Sequence, residues 1–114
     1  MKTVIRVNLA NKPEMKTDKK GVSFVSFTAY EDKVKRNADG SFEKIGSTRY
    51  FVTAYSEAAK EIAKAFEKGE LVELSGSYNN SVNGQYVNHF FRMFDGKSVF
   101  KPKSNKANNV VQAA

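Results

Sequence analysis

Aromatic rings and a cation share one predicted face of the stretch RYFVTAY, residues 49–55. Successive side chains of an extended strand point to opposite faces, so every second residue of this stretch lies on the same side. The set that is not mainly apolar consists of Arg49, Phe51, Thr53 and Tyr55. Ring faces stack on unpaired bases and cations bind phosphates, so this set predicts a surface for a single-stranded nucleic acid.

The composition of the whole chain points to a partner of the same kind. Its 114 residues carry a formal charge of +7, which favours a polyanion, and nine Phe and five Tyr are interleaved with the cations. The further residues that we assign to nucleic-acid binding are Arg6, Tyr30, Lys33, Lys35, Arg36, Tyr78 and Tyr86. Lys44 lies in the same cluster of basic residues as Lys33 and Lys35.

Several classes of site are excluded by the residue types present. The chain contains no Cys and a single His, His89, so disulfides, thiolate metal sites and cysteine nucleophiles are not expected. The acidic residues are scattered through predicted loops and form no catalytic pair. We therefore expect neither an enzyme nor a bound metal or cofactor. No apolar run approaches ~20 residues and no signal peptide follows Met1, so we expect a cytoplasmic protein without membrane attachment.

Alternating apolar residues predict five strands, which we place at residues 4–9, 22–30, 49–55, 71–78 and 85–94. The side chains expected inside are Ile5, Val7, Leu9, Val25, Phe27, Ala29, Tyr50, Val52, Ala54, Val72 and Leu74. Gly76 marks an expected bend or bulge at a barrel corner. The inward face of the last strand is left open, because the run FFRMF supplies apolar residues to both faces.

One helix is predicted over residues 56–68, between the third and fourth strands. Ser56 is its expected N-cap, and Gly69 is expected to end it in the left-handed conformation. The stripe at spacing i, i+3, i+4 and i+7 consists of Ala59, Ile62, Ala63 and Phe66. A single helix between strands, with one apolar side, predicts that the helix packs that side against the open end of a small closed barrel.

Two segments are predicted as irregular connections within a single domain of residues 1–100. Residues 11–21 contain Pro13 and Gly21 and are expected to form a loop. Residues 31–48 are expected to form a long mobile hairpin loop, with its turn at residues 38–41. Residues 101–114 are polar and basic and are expected to form a flexible tail.

The order of these elements resembles that of the single-stranded DNA-binding proteins (SSBs) of bacteria, especially their short bacteriophage relatives. The residues that carry the resemblance are VIRVNLANKPE at the start, VSFVSFTAY, and RYFVTAYSEAAKEIAKAFEKGELVELSGSY. It spans about residues 1–100 and implies an all-β fold, a five-stranded oligonucleotide-binding (OB) barrel with one helix between strands 3 and 4. It also implies single-stranded DNA as partner, a homotetramer, and a role in coating DNA during replication or recombination, in the host cytoplasm if the protein is phage-encoded.

The resemblance gives three residues a position in the family pattern. Tyr55 falls where the family has its stacking phenylalanine before the helix, Arg49 where many members have a stacking tryptophan, and Phe51 where a basic residue is common. Cellular members end in an acidic, Phe-terminated tip that recruits repair proteins, whereas this chain ends VVQAA. Recruitment of repair proteins by that route is therefore not expected; recombination and replication proteins are the other partners that the resemblance admits.

Alternatives from other classes share the same charge and rings. They are an RNA-binding barrel, which a site reading the 2′-hydroxyl would indicate, and a protein-interaction barrel of the replication-restart or primosome type. A barrel enzyme is the least favoured. Each ring also has a plain structural interpretation: Phe51 and Tyr55 as half-buried strand residues, and Phe24, Tyr30, Tyr78 and Tyr86 as core or interface residues.

Overall fold

The computed structural model describes residues 2–101. Its elements are β1 (Thr3–Leu9), β2 (Glu14–Thr17), β3 (Ser23–Arg36), β4 (Phe42–Ala54), α1 (Glu57–Lys64), β5 (Leu71–Asn83) and β6 (Tyr86–Phe100). The strands form one sheet in the order β1-β5-β6-β4-β3-β2, and β1 also pairs with β3. This additional pairing closes five strands into a barrel and leaves β2 outside the ring, so the predicted five-stranded barrel is confirmed.

The barrel interior is filled from alternate positions of each strand. All the side chains that the sequence places inside are buried, from Ile5 on β1 to Leu74 on β5. On β6 the inward residues are Phe91 and Met93, which answers the question that the run FFRMF left open. The core thus uses one parity of β6, and the other parity is available to the surface.

Helix α1 begins where the sequence predicts but is shorter. The Ser56 hydroxyl accepts a hydrogen bond from the Ala59 amide at 3.1 Å, as an N-cap does. Ala59 and Ala63 are fully buried against the barrel. The helix ends at Lys64 instead of Lys68, so the predicted end is wrong.

The six residues between α1 and β5 form a turn that completes the same core. Phe66 is buried and its ring lies edge-on to Phe27, with centroids 6.1 Å apart. Gly69 has a φ of +85°, and its amide donates to the Leu9 carbonyl at 2.9 Å. The left-handed conformation predicted for Gly69 is therefore present, but it connects the turn to β1 instead of ending the helix.

Strand β2 lies in the segment predicted as a loop, and that prediction is wrong. Its four residues pair antiparallel with β3, Lys16 lying opposite Phe24. All four side chains are exposed, so the strand has no apolar alternation by which its sequence would reveal it. Because of this extra strand, α1 follows the fourth strand of the chain, although it still lies between the third and fourth strands of the barrel.

The long connection at residues 31–48 is a hairpin, as predicted, but not a loop. Strands β3 and β4 continue through it and stay paired as far as Arg36 opposite Phe42. One extra residue, Ile45, interrupts the register as a bulge. We call residues 31–48 the basic arm. Strands β5 and β6 are extended in the same way, and their two-residue turn contains Gly84 with a φ of +66°.

These two extended hairpins change the overall dimensions of the molecule. The radius of gyration is 16.2 Å, compared with about 13 Å for a compact domain of 100 residues. The predicted bend at Gly76 is confirmed by a register shift between Ser75 and Gly76 where β5 meets β6. No helix within residues 2–101 has the length and apolar character needed to cross a membrane.

Candidate nucleic-acid interface

The outward residues of β4 and β6 form a surface rich in exposed rings. The two strands pair in parallel, with Phe51 opposite Phe90 and Thr53 opposite Arg92. Phe51, Phe90 and Phe94 are 40%, 38% and 52% exposed. We call the surface made by Phe51, Thr53, Phe90, Arg92 and Phe94 the aromatic wall. Three large rings open to solvent on one side of a barrel are apolar area that a ligand would cover.

Phe51 and Phe90 form a ridge with a groove on either side. Their rings meet edge to face, with centroids 6.2 Å apart and planes at 82°. The larger groove, about 490 Å³, is lined by Thr28, Ser47, Thr48, Arg49, Phe51, Val87, Asn88, His89 and Phe90. The second, about 410 Å³, is lined by Phe51, Thr53, Ser77, Asn79, Phe90, Phe91, Arg92 and Phe94. Each groove thus combines ring surface with one arginine, the pairing that bases and phosphates require.

Tyr55 lies beside the aromatic wall but its ring is already covered. The ring of Phe24 stacks on it, with centroids 4.9 Å apart and planes at 17°. The Arg92 guanidinium lies over it, with Cζ 4.5 Å from the ring centre. Tyr55 is half-buried as a result. Tyr55 thus belongs to the predicted binding face, but Phe24 and Arg92 cover its ring, whereas the rings of Phe51 and Phe90 are exposed.

Three other residues assigned from the sequence lie at the edge of the aromatic wall or away from it. Tyr30 on β3 pairs with Arg49 on β4, and both lie on the same outward face as Phe51. Arg6 lies on β1, which pairs with neither β4 nor β6, and its guanidinium is 3.3 Å from a carboxylate oxygen of Glu73. The structure therefore brings Arg49 and Tyr30 to Phe51, and does not bring Arg6 there.

Tyr78 lies on the inward side of β5, the side to which Val72 and Leu74 also belong. It lies opposite Phe91 on β6, and its ring meets that of Tyr50 with centroids 6.1 Å apart. Its hydroxyl hydrogen-bonds with Nδ1 of His89 at 2.5 Å. Burial is the main cause that raises the pKa of Tyr50, with the Glu31 carboxylate and Tyr78 adding to it. Tyr50 and Tyr78 therefore do not belong to the outward rings of the aromatic wall, whereas His89 also lines the larger groove.

The remaining assigned residues lie on the two hairpins. Tyr86 is 76% exposed beside the turn between β5 and β6. On the basic arm, alternation along β3 puts Lys33 and Lys35 on one face and Arg36 on the other, where it lies 5.9 Å from the Phe42 ring centre. All three cations are exposed. Lys44 is exposed as well, but its ammonium forms an ion pair with Asp32, with 3.3 Å between Nζ and a carboxylate oxygen.

Sequence reasoning did not assign Phe90, Arg92 and Phe94 to the site. The signal was present, because the run FFRMF offers apolar residues at both parities, and a strand with one buried face needs only one. Which parity faces outward depends on the pairing with β4 and β5, which a single sequence does not show. Within residues 2–101 no group of three or more His, Cys, Asp or Glu side chains is placed to hold a metal ion.

Comparison with known proteins shows similarity in structure only. No family model matches the chain, and no curated protein matches its sequence. The small single-stranded DNA-binding protein of Streptomyces coelicolor superimposes with a TM-score of 0.70 at 14% identity, over 86% of this chain and 91% of that one. The mitochondrial single-stranded DNA-binding protein of S. cerevisiae gives 0.65 at 16% identity, over 90% and 96% of the two chains.

A third structure similar to this chain was solved with a ligand. It is the Plasmodium falciparum SSB in complex with single-stranded DNA, with a TM-score of 0.59 and 15% identity over 89% of this chain and 94% of that one. All three solved structures are SSB proteins. At these identities the comparison establishes the architecture: the chain has the five-stranded OB fold, with α1 between the third and fourth strands of the barrel.

Proposed function

We propose that the protein is a binding protein, not an enzyme, that captures single-stranded DNA on the aromatic wall without reading its sequence. The observation that carries this proposal is the pair Phe51 and Phe90, two exposed rings at the ridge between grooves that each contain an arginine. Its support from other proteins is the shared fold of a structure solved with single-stranded DNA. The binding unit that we propose is the barrel of residues 1–100; the tail predicted for residues 101–114 lies, beyond residue 101, outside the part of the chain that the structure describes.

The preference for single strands follows from where the rings are. Bases in a duplex are stacked on one another and present only their edges, so rings on a barrel surface have nothing to stack on. Unpaired bases offer both faces, and each stack contributes roughly 1–3 kcal/mol. Phe51, Phe90 and Phe94 supply those contacts, and since every base has a ring face, none of them requires a particular sequence.

Cations supply the second part of the binding energy. Arg49 and Arg92 lie in the two grooves. The cations of the basic arm, Lys33, Lys35 and Arg36, lie further along the β3–β4 hairpin, on the Arg49 side of Phe51. A strand that crosses the ridge and continues along the arm places its phosphates near these side chains. Phosphate neutralisation releases counterions, so binding should weaken as salt increases.

A strand covered in this way is kept unpaired and protected, which is the role we propose in DNA replication or recombination. We also propose a homo-oligomer, with the tetramer implied by the resemblance as the first state to test, and a phage-encoded protein acting in the host cytoplasm. Exposed apolar side chains outside the aromatic wall support an assembly that covers them: Val4, Met15, Val34, Phe42 and Ile45. Light scattering measures the number of copies directly.

Titration of intrinsic tyrosine fluorescence tests the binding proposal, because the chain has five Tyr and no Trp. The ligands are oligo-dT, a DNA hairpin duplex and oligo-U, each at two salt concentrations. We expect saturable binding of oligo-dT that weakens with salt, and much weaker binding of the duplex. Equal affinity for duplex and oligo-dT would contradict the stacking mechanism. Tighter binding of oligo-U than of oligo-dT would favour an RNA ligand instead.

A further inference from the structure

The Tyr55 ring differs from the exposed rings of the aromatic wall because two side chains, Phe24 and Arg92, are stacked on it. Strands β3 and β6 flank β4 on opposite sides, and Tyr55 directly follows β4. Phe24 comes from β3 and Arg92 from β6, so they approach the Tyr55 ring from strands on opposite sides of β4, at 4.9 Å and 4.5 Å from its centre. A base has no room to stack on Tyr55 while Arg92 is in this position.

In the part of the chain that the structure describes, the Tyr55 ring is the one charged or aromatic group that holds the Arg92 guanidinium in place. Within residues 2–101, the ion pairs between basic and acidic side chains do not include Arg92. Its neighbours across the sheet are Thr53 on β4 and Ser77 on β5, which carry no charge. A guanidinium held only by an exposed cation–π contact is weakly held, and it moves when a base arrives that stacks better on the ring.

We infer that Arg92 is a latch: in the free protein its planar guanidinium occupies the place on Tyr55 where a base would stack, and a bound strand displaces it. This inference rests on the proposed function. The guanidinium is planar and stacks on rings much as a base does, so the two compete for one face. A base stack is the stronger contact, and the displaced guanidinium gains a phosphate of the same strand.

The latch assigns different parts to residues on neighbouring strands. Phe51, Phe90 and Phe94 are open before binding and take the first bases, whereas Tyr55 joins only after Arg92 has moved. Arg92 therefore changes role during binding, from a cover on Tyr55 to a phosphate contact. It sets the balance between affinity for bases and affinity for the sugar–phosphate backbone.

Nuclear magnetic resonance of the labelled side chain tests the latch directly. The Tyr55 ring current should move the Arg92 side-chain protons upfield in the free protein, and Tyr55→Leu should abolish that displacement. Oligo-dT should return the protons to ordinary positions, whereas an abasic oligonucleotide of the same length, which has phosphates but no bases, should leave them upfield. Binding of oligo-dT with the Arg92 protons unmoved would overturn the latch alone. Failure of the unaltered protein to bind either ligand would overturn the proposed function, and the latch with it.

Affinity ratios give an independent test. The ratio of affinities for oligo-dT and for the abasic strand should rise about two- to fivefold in Arg92→Gln and Arg92→Lys, because neither side chain stacks a planar guanidinium on Tyr55. Affinity for the abasic strand should fall only in Arg92→Gln, which loses the charge. Lys35→Gln is the matched control, since it removes a cation far from Tyr55 and should leave the ratio unchanged. A ratio that stays constant in both Arg92 variants would overturn the inference.

Discussion

Phe90 and Phe91 are adjacent in the chain, yet Phe90 is 38% exposed on the aromatic wall and Phe91 is fully buried in the barrel. The alternation of side chains along β6 separates them, and the parallel pairing with β4 decides which of the two points outward. One ring is thus available to a ligand and the other to the core. Substitution of each should therefore have a different consequence.

Phe90→Ala and Phe51→Ala should each weaken binding of oligo-dT by roughly 1–3 kcal/mol, because each removes one stacking partner. The slope of affinity against salt should not change, since no phosphate contact is lost. Fluorescence titration at several salt concentrations measures both quantities. Val99→Ala is a control of the same exposure, 40%, near the end of β6 and nine residues from Phe90, and it should bind as the unaltered protein does.

Phe91→Ala and Phe90→Ala should differ in their effect on the free energy of unfolding. Loss of a fully buried ring should lower the free energy of unfolding by about 3–5 kcal/mol, whereas Phe90→Ala should leave it nearly unchanged. Chemical denaturation of the two variants gives the comparison. Equal destabilisation by both would show that Phe90 packs into the core, and the aromatic wall would then lose one of its rings.

The extent to which the sequence predicted this fold depends on burial. Wherever one face of a strand is buried, as from Ile5 to Leu9, the apolar alternation identified the strand and its inward residues correctly. Wherever both faces are exposed, as in β2 and the basic arm, no alternation exists and regular strands were taken for loops. Hydrogen bonds between backbone groups stabilise these strands, and such bonds produce no pattern of residue types in the sequence.

The candidate site was predicted in part for the same reason. Phe51 and Arg49 follow from parity within one strand, so the sequence placed them on the outward face together. Phe90, Arg92 and the cover on Tyr55 depend on which strands become neighbours in the barrel. The parallel pairing of β4 with β6 joins residues about forty positions apart, and this distance in sequence is beyond the reach of local patterns.

The basic arm should contribute to binding through charge alone. Lys35→Ala and Arg36→Ala should each reduce the slope of log affinity against log salt by about 0.7, the value for one phosphate contact on a single strand. Lys68→Ala is the control, because it makes the same change in net charge in the turn after α1, away from the arm. If all three variants lower the slope equally, net charge and not the arm is responsible.

Gly76 should be indispensable to the barrel corner. A Cβ at this position would lie 2.9 Å from the Met93 Cα, closer than such atoms approach in proteins, and the obstacle is backbone that has little room to move. Gly76→Ala should therefore lower the free energy of unfolding by about 1–3 kcal/mol or more, as extra atoms do in other well-packed sites, or prevent folding. Gly46→Ala is the matched control: nothing lies within 4 Å of its added Cβ, so thermal unfolding should be nearly unchanged or slightly raised.

Tyr50 should make the protein sensitive to alkali. Burial, followed by the Glu31 carboxylate and Tyr78, raises the pKa of Tyr50 above the ordinary value of 10.0. The native state then holds the phenol proton more tightly than the unfolded chain does, so this contribution to stability is complete below pH 10 and is lost as the pH rises through the native pKa. Tyr50→Phe removes the proton and should flatten the fall in unfolding free energy above pH 10.

Denaturant unfolding between pH 8 and 11.5 measures this difference. The gap in unfolding free energy between the unaltered protein and Tyr50→Phe should stay constant up to about pH 9 and then move in favour of the variant. Tyr86→Phe, at a position 76% exposed, controls for the loss of a phenol as such. Parallel pH profiles for the unaltered protein and Tyr50→Phe would mean that burial and the Glu31 carboxylate do not raise the pKa of Tyr50.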